Sequence, residues 1–366
     1  MSIEREGHSA SEGLPIMKVE MGLGPDLLPF LAEIEESGVH ANFGKQVHAM
    51  EAEFAALIGV PSSRVVSVAN ATLGLQGAMS LFEPSLWVVP SWTFAATAHA
   101  ARMQSVGFLF GDVLKKNWAL NPDEVHEGEG AVVTAPFGAP LSVGKEWNHV
   151  SALVIDAAAA IGALPTILPD FARPWAIVIS LHATKLLGVG EGGLVVLSSD
   201  SLATSFRQWT NFGFFGSREA KVSATNGKLS EVAAAIARFR LRNWNRDREE
   251  LRLLRSKVHH IGGNLGINPS ISSNDWISPY WIVEFAGPED KSRAIQELAN
   301  SGVETRDWWS AGCHAMQAFR SIPARSQLHC TKDLASRSLG LPYFRGVSDS
   351  DLERVSDALG RILEKS

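Results

Sequence analysis

The chain has 366 residues, of which 45% are apolar and 20% are charged, and its formal net charge is −6. This composition excludes a disordered chain and a collagen-like repeat, and the length predicts about two domains. The 33 basic and 39 acidic residues are interspersed, so the sequence has no concentrated basic region of the kind that favours nucleic-acid binding.

The first segment, residues 1–14, is polar and shows no apolar periodicity, so we expect a loosely held tail. It has neither the apolar core of a signal peptide nor the Arg-rich pattern of a transit peptide. Cys313 and Cys330 are too few for a disulfide framework, and no apolar run reaches the ~20 residues of a membrane helix. We therefore expect a cytoplasmic protein without a membrane anchor.

Two amphipathic helices are predicted next, over 27–37 and 47–57, where apolar residues recur at helical spacing. Between 65 and 158, short β-branched or aromatic runs alternate with helix-compatible or turn-rich stretches. These runs are apolar on both faces, which is typical of parallel strands covered by helices. The predicted fold is therefore α/β, with a mostly parallel central sheet flanked by helices and functional residues at the carboxyl ends of its strands.

Two segments in this region have the composition of a ligand site. An Asn-Ala-Thr turn at 70–72 follows a strand and opens a helix, so its free N–H groups favour an anion. The segment Pro-Ser-Trp-Thr-Phe-Ala-Ala-Thr-Ala at 90–98 offers aromatic rings for stacking. Both have an ordinary alternative, since turns before helices are common and aromatic side chains mostly pack in cores.

Asp156 ends an apolar strand, where an unpaired carboxylate would be costly to bury. It therefore needs a cationic partner. The alternative is a helix cap, because a run of helix-forming alanines follows it.

Lys185 follows the next strand and has mainly apolar neighbours, which favours partial desolvation and hence a nucleophilic amine. The alternative is a surface lysine that packs only its aliphatic stem. Ser180, five residues earlier, adds a hydroxyl group to the same region. The glycine-rich run at 188–193 precedes a strand and does not open a helix, so it does not match a dinucleotide-binding motif.

A helix is predicted from Ser230 to about His259, linking a large domain at 15–243 to a small α+β domain at 244–366. The small domain is expected to contain a strand near 279–285, a helix over 291–301 and a last helix over 349–365. His259 and His260 point about 100° apart on a helix and have no carboxylate cluster beside them, so no metal site is predicted.

The segment at 306–319 is the best candidate for substrate contacts. Its paired Trp308 and Trp309 have rings that stack on a sugar or a base, and Arg306 and His314 suit a diphosphate or a carboxylate. Core or interface packing is the alternative for the two tryptophans.

Taken together, these segments resemble the nucleotide-sugar aminotransferases of the DegT/StrS type. The resemblance rests on the segments 42–59, 68–76, 90–98, 135–140, 154–162, 180–193 and 226–231. It covers almost the whole chain, and its most specific part is the lysine motif Ser-Leu-His-Ala-Thr-Lys with the trailing Gly-Glu-Gly-Gly. It implies an aspartate-aminotransferase-like fold, with a large domain that binds pyridoxal 5′-phosphate (PLP) and a smaller C-terminal domain.

The resemblance also implies roles for individual residues. Lys185 would bond the cofactor covalently and move protons, Asp156 would pair with the nitrogen of the cofactor ring, and Phe94 would stack on that ring, with Trp92 as the alternative. Ala71, Thr72 and Ser180 would hold the phosphate. The same resemblance gives Asn226 a place in the phosphate site of a neighbouring subunit, and so implies a homodimer with shared active sites. A turn residue before the Ser230 helix is the alternative for Asn226.

The implied activity is transfer of an amino group, from L-glutamate, to a C3 or C4 keto group of a nucleotide-linked deoxysugar, with the cofactor alternating between PLP and pyridoxamine phosphate (PMP). Cell-surface polysaccharide, such as lipopolysaccharide, or a natural product would be the destination of the sugar. One departure is Ala159, because family members commonly carry Gln or His there, near the ring oxygen of the cofactor. Two alternatives stay open: another PLP-dependent reaction, and a family-like sensor or binding protein without turnover, which only Ala159 supports.

Overall fold

The structure is a computed structural model that describes residues 13–21, 23–164, 166–170, 173–273 and 276–363. The helices are α1 (Leu28–Ser37), α2 (Lys45–Ile58), α3 (Ala71–Met79), α4 (Ala95–Arg102), α5 (Asp200–Thr210), α6 (Glu231–Arg242), α7 (Trp244–Asn264), α8 (Pro288–Asn300), α9 (His329–Arg337) and α10 (Asp349–Leu363). The strands are β1 (Val65–Val68), β2 (Trp87–Pro90), β3 (Phe108–Gly111), β4 (Gly130–Thr134), β5 (Ala152–Asp156), β6 (Trp175–Ser180), β7 (Gly193–Leu197), β8 (Trp281–Glu284) and β9 (Ser338–Leu341). Within the described ranges, no helix is both long enough and apolar enough to span a bilayer.

Seven strands form the central sheet, in the order β1-β7-β6-β5-β4-β2-β3. Strand β7 runs antiparallel to both of its neighbours, and the remaining pairs are parallel. This confirms the predicted mostly parallel sheet. Because parallel strands end at the same edge, Asp156 at the end of β5 and Ser180 at the end of β6 lie along one edge of the sheet.

Helices cover both faces of this sheet, and the alternation of side chains along each strand divides the core in two. In β5, Leu153 and Ile155 pack into one apolar cluster, whereas Ala152 and Val154 pack into the other. Asp156 continues the second set, so its side chain points to the face that α3 and α4 cover. The continuous apolar runs of the sequence are thus explained by burial on both faces.

The predicted helix from Ser230 to His259 is wrong as a single element, because α6 ends at Arg242 and α7 begins at Trp244. Asn243 separates the two helices. Its backbone N–H donates to the carbonyl of Arg240, three residues back, and its side chain donates to the carbonyl of Phe239. These bonds tighten and end α6.

The C-terminal part of the chain carries a two-stranded antiparallel sheet, β8 and β9, together with α8, α9 and α10. The predicted last helix is present from Asp349 to Leu363. Leu14 belongs to this part of the molecule: it is buried, and its N–H donates to the carbonyl of Gly302 at 2.7 Å. Leu14 is therefore not part of a loose tail as expected, whereas residues 1–12 lie outside the described ranges. The domain boundaries at 15, 243 and 244 stay a prediction.

Candidate active site

Lys185 lies in a tight turn between β6 and β7, beside a shallow cleft. Its backbone N–H donates to the carbonyl of His182 at 2.8 Å, and its carbonyl accepts from Gly188 at 3.1 Å. A Cβ atom at Gly188 would lie 2.5 Å from the carbonyl oxygen of Ala183, so only glycine fits at that point of the turn. The side-chain amine of Lys185 donates a hydrogen bond of 2.7 Å to the hydroxyl of Tyr280.

Asp156 is a buried carboxylate at the end of β5. Its Oδ2 accepts a hydrogen bond of 2.6 Å from the hydroxyl of Thr97, and its Oδ1 accepts one of 3.1 Å from the backbone N–H of Ala158. Burial raises the pKa of Asp156, and the two hydrogen bonds and the charge of Lys185 offset part of that shift. In the described part of the chain, no cationic side chain lies within ion-pair distance of this carboxylate.

The contact to Ala158 is the local turn bond that the helix-cap interpretation of Asp156 requires, but it uses only one carboxylate oxygen. The other oxygen faces Thr97 on α4. Local capping therefore provides only part of the hydrogen bonding that a buried carboxylate requires. A cationic group of a ligand would stabilise such a carboxylate most strongly.

Three buried threonines form a hydrogen-bonded chain that ends on Asp156. The hydroxyl of Thr97 lies 2.9 Å from that of Thr93, which in turn lies 2.9 Å from that of Thr134. An ionised carboxylate can only accept, so Thr97 uses its single proton on Asp156. Thr93 must then donate to Thr97, and Thr134 to Thr93, which means that ionised Asp156 orients the whole chain.

The donors that were predicted to bind an anion lie at the same edge of the sheet, where β1 leads into α3. Asn70 caps α3 by accepting from the N–H of Leu73, which leaves the N–H groups of Ala71 and Thr72 without a partner inside the helix. Gly193 pairs in register with both Val68 and Ser180, and a Cβ atom on Gly193 would lie 3.0 Å from the nitrogen of Ala71.

Ser180 therefore stands one strand away from the start of α3, with Gly193 between them. Its hydroxyl oxygen accepts from the N–H of His182 at 3.1 Å, so its own proton is available to donate. The predicted set of Ala71, Thr72 and Ser180 thus surrounds a cradle of N–H and O–H donors at a helix N-terminus, which is the arrangement that suits a phosphate group.

Phe94 and Trp92, the two candidates for stacking on the cofactor ring, differ sharply in exposure. Phe94 precedes α4 at the carboxyl end of β2, and 59% of its surface is exposed. Trp92 is 1% exposed, and its ring packs at 77–78° against Trp118 and Trp309. Trp92 therefore belongs to an aromatic cluster in the core.

Arg306 and Trp309 lie together in a closely packed region that Trp92 and Phe137 also line. The exposed guanidinium of Arg306 lies 4.9 Å from the ring centroid of Trp308 and forms an ion pair with Glu304. Trp309 is buried and stacks on Phe137 at 4.0 Å, as the packing alternative expected. Neither Arg306 nor Trp309 lines the cleft beside Lys185, and Asp156 and Ser180 do not line it either.

His314 lies at the end of β2, where its Nδ1 is 2.7 Å from the hydroxyl of Ser91. Burial lowers the pKa of His314, and the charge of Lys332 lowers it further, whereas Asp112 raises it. His314 is thus held against Ser91, the residue that precedes Trp92, close to the strand end that leads to Phe94. Its role as a substrate contact stays a prediction.

Asn226 lies apart from the cleft, on an exposed segment that pairs with Asn211. Its side-chain oxygen accepts a hydrogen bond of 2.7 Å from Lys228. The ammonium of Lys228 also lies 4.3 Å from the ring centroid of Phe212, which is itself half-exposed. Within one chain, Asn226 is therefore available on the surface and does not contact Lys185 or Asp156.

Two residues of the site were not predicted from the sequence, namely Thr97 and Tyr280. Thr97 lies inside the aromatic segment at 90–98, and its position on the helix that follows Phe94 is a signal that could have identified it. No comparable signal marks Tyr280, which reaches Lys185 from 95 positions away along the chain. Among the described residues, no group of three or more His, Cys, Asp or Glu side chains is arranged to hold a metal ion.

Comparison with known proteins agrees with this geometry. The model of the DegT/DnrJ/EryC1/StrS aminotransferase family matches residues 24–360. The dTDP-4-amino-4,6-dideoxy-D-glucose transaminase of Shigella dysenteriae is 23% identical over 370 residues, which cover 95% of this chain and 99% of that enzyme.

Two solved structures are similar over nearly their whole length. A candidate PLP-dependent aminotransferase from Bacillus cereus has a TM-score of 0.84 at 25% identity, covering 95% of this chain and 100% of that one. DesI, crystallised in the presence of its TDP-sugar product, has a TM-score of 0.79 at 28% identity, covering 94% and 91%. These likenesses confirm the predicted fold.

Proposed function

This chain belongs to the DegT/DnrJ/EryC1/StrS aminotransferase family, and from that premise we propose that it transfers an amino group from L-glutamate to a keto group of a nucleotide-linked deoxysugar. Its membership confirms the family identified from the sequence. The protein is a PLP-dependent aminotransferase.

The residues at the sheet edge fit three groups of PLP: the ring nitrogen, the phosphate and the aldehyde. Asp156, a buried carboxylate without an ion pair in the described ranges, suits the protonated ring nitrogen. The donors around Gly193, namely the N–H groups of Ala71 and Thr72 and the hydroxyl of Ser180, suit the phosphate. The amine of Lys185 suits the aldehyde. When bound, PLP supplies an electron sink that stabilises negative charge on the α-carbon of the amino donor.

Each of these side chains then has a defined task. Asp156 keeps the ring nitrogen protonated, and the Thr97 hydrogen bond keeps the carboxylate turned toward the site. Lys185 Nζ removes the proton from the α-carbon of the amino donor. In the second half-reaction, it delivers a proton to the sugar carbon that receives the nitrogen.

The observation that carries the proposal is the buried Asp156 carboxylate, which has no ion-pair partner among the described residues and whose pKa the charge of Lys185 lowers. A protein that bound no cationic group at this position would have no need to keep this costly charge. A sugar substrate is supported by the relatives: the Shigella dysenteriae enzyme is named as a dTDP-sugar transaminase, and DesI was crystallised with a TDP-sugar product.

We further propose that two copies of the chain form a homodimer in which Asn226 completes the phosphate site of the neighbouring subunit. The segment around Asn226 supports this, because Phe212, Phe215 and Val222 are exposed there although they are large and apolar. A partner chain over this surface would bury them and place Asn226 at an interface. The cytoplasmic location and the polysaccharide or natural-product pathway stay predictions.

The test is to incubate the enzyme with PLP, L-glutamate and a panel of thymidine- and uridine-diphosphate 3-keto and 4-keto deoxysugars, and to identify products by mass spectrometry. We expect a nucleotide-linked amino sugar from at least one of them, and none with Lys185→Ala. Conversion of PLP to its amine form without any amino sugar would support a different PLP-dependent reaction. Absence of both would favour the sensor alternative, for which Ala159 is the sequence argument.

A further inference from the structure

The phenol of Tyr280 is the hydrogen-bond partner of the reactive lysine. The Lys185 Nζ atom lies 2.7 Å from the hydroxyl oxygen but 5.1 Å from the centroid of the Tyr280 ring. The amine is therefore placed off the hydroxyl end of the ring and not over its face, so the contact is a hydrogen bond and only secondarily a cation–π interaction. We propose that Tyr280 is a further catalytic residue, whose hydroxyl holds the Lys185 amine in place through the protonation changes of amino transfer. This inference rests on the proposed function.

Tyr280 is held rigidly. Its backbone N–H donates to the hydroxyl of Ser278 at 2.9 Å, and that hydroxyl donates to the carbonyl of Phe137 at 2.8 Å. The ring packs edge-on against Phe137 and Trp308, with centroid separations of 5.8 and 4.8 Å. Since 9% of the residue is exposed, the hydroxyl has a fixed position relative to the lysine turn.

A phenol hydroxyl is chemically suited to this position because it both donates and accepts. When Nζ is an ammonium, it donates to the phenol oxygen. When Nζ is a neutral amine, the phenol O–H donates to its lone pair. The same pair of atoms can thus stay in contact while the amine gains and loses protons, which keeps the amine aligned for proton transfer.

Two neighbouring groups of the site are less suited to this role. The Asp156 carboxylate, when ionised, only accepts, and the proton of the Thr97 hydroxyl is committed to that carboxylate. Ala159 lies in the same buried aromatic cluster as Tyr280 and contributes only a methyl group. Among the described residues, Tyr280 is the only hydrogen-bond partner of Lys185 Nζ.

The chain offers a matched control because it contains only two tyrosines, Tyr280 and Tyr343. Tyr343 is also buried, and its hydroxyl donates to the carbonyl of Leu251 at 3.3 Å. Tyr280→Phe and Tyr343→Phe therefore remove the same atom from two buried rings, of which only one contacts the lysine.

The experiment measures two properties apart from turnover: the rate at which the apoenzyme captures PLP, followed by absorbance near ~410 nm, and the pH dependence of that band in the loaded enzyme. We expect Tyr280→Phe to capture PLP at least about tenfold more slowly and to shift the pH midpoint of the band by about one unit. Tyr343→Phe should match the wild type in both. A folded Tyr280→Phe variant with wild-type capture rate and wild-type pH midpoint would overturn the inference.

Should Tyr280→Phe fail to fold, Ser278→Ala provides the second variant, because it keeps the phenol but removes the hydroxyl that fixes its backbone. We expect the same changes at smaller size, and their absence would equally contradict the role of Tyr280. Failure of the proposed function is distinguishable, because it appears as the absence of an amino-sugar product from the wild-type enzyme, whereas the band on Lys185 can still form. If the wild type forms the band on Lys185 and both Tyr280 and Ser278 variants behave like it, only the present inference fails.

Discussion

The hydroxyl of Thr97 lies 2.6 Å from a carboxylate oxygen of Asp156, although the two residues are 59 positions apart in the chain. The contact joins α4, the helix after β2, to the end of β5. The Thr97 hydroxyl is itself hydrogen-bonded to that of Thr93, which is hydrogen-bonded to that of Thr134. A hydrogen bond to an ionised carboxylate lowers its pKa, so Thr97 opposes the effect of burial on Asp156. Thr97 is therefore a positioning residue for the carboxylate.

Thr97→Val should raise the pKa of Asp156 further, because it removes the hydroxyl donor and leaves a similar shape. Since the mechanism requires the ionised carboxylate, we expect the acidic limb of the kcat/KM profile to move to higher pH, with a loss of about tenfold at neutral pH. The loss should shrink at alkaline pH. Thr97→Ser keeps the donor and is the control; a profile for Thr97→Val that overlies that of Thr97→Ser would contradict this role.

Asp156→Asn should stabilise the apoprotein while it impairs the enzyme. Burial raises the pKa of Asp156, so the folded state holds a proton there over a pH range in which the unfolded chain has lost it. The stability of the wild-type apoprotein therefore falls as pH rises from the unfolded pKa through the raised, folded pKa.

The neutral amide avoids this cost, and we expect its free energy of unfolding at pH 7 to exceed that of the wild type by about 1–2 kcal/mol, measured by denaturant titration without cofactor. The difference should disappear at acidic pH, where Asp156 is protonated in both states. Amino transfer should fall by at least about a hundredfold, because an amide cannot keep the ring nitrogen charged. A variant apoprotein less stable than the wild type at pH 7 would be evidence against the raised pKa.

Lys185→Ala should abolish turnover but still bind PMP. The variant loses the amine that moves the proton, whereas the phosphate donors near Gly193 and the Asp156 carboxylate remain. We expect a loss of at least about 10⁴-fold in kcat and a PMP dissociation constant within about tenfold of the wild type. Calorimetry and a steady-state assay measure the two. Substantial turnover by this variant would remove Lys185 from the mechanism.

The sequence is sufficient to predict Asp156, Ser180 and Lys185 as a group, because apolar runs mark the strands and the carboxyl ends of parallel strands meet at one edge. It is equally sufficient for the helix N-terminus at Ala71 and Thr72, which depends on a local strand-turn-helix pattern. What it could not predict are contacts that depend on packing between distant segments. Tyr280 contacts Lys185 although the two residues are 95 positions apart. The ring of Trp92 is buried, where it packs edge-on against those of Trp118 and Trp309.

The apolar periodicity of the sequence also could not predict where helices end. The apolar spacing continues across Asn243, yet the structure divides the predicted helix there, because the backbone of Asn243 bonds three residues back and not four. Leu14 shows the converse: this single apolar residue in a polar segment is buried, and its backbone pairs with Val303, a partner that no local pattern reveals.

Asn226 can be tested by complementation between two inactive variants. If Asn226 serves the neighbouring subunit, Asn226→Asp and Lys185→Ala homodimers should each be strongly impaired, since one repels the phosphate and the other lacks the amine. Subunits mixed after reversible dissociation should form hybrids in which one of the two sites is intact, restoring about a quarter of the wild-type activity. Activity that does not rise on mixing would place Asn226 outside the partner's site. The control is a mixture of each variant with itself.

The most direct test of the account is reduction of the purified, PLP-loaded protein with borohydride, followed by peptide mapping, with L-glutamate added to an unreduced sample. We predict a band near ~410 nm that borohydride removes, with the cofactor trapped on the peptide that contains Lys185 and on no other. We also predict that L-glutamate converts this band to the PMP form. Cofactor trapped on a different lysine, or a PLP-supplemented protein without the band and without bound PMP, would contradict the assignment of this site.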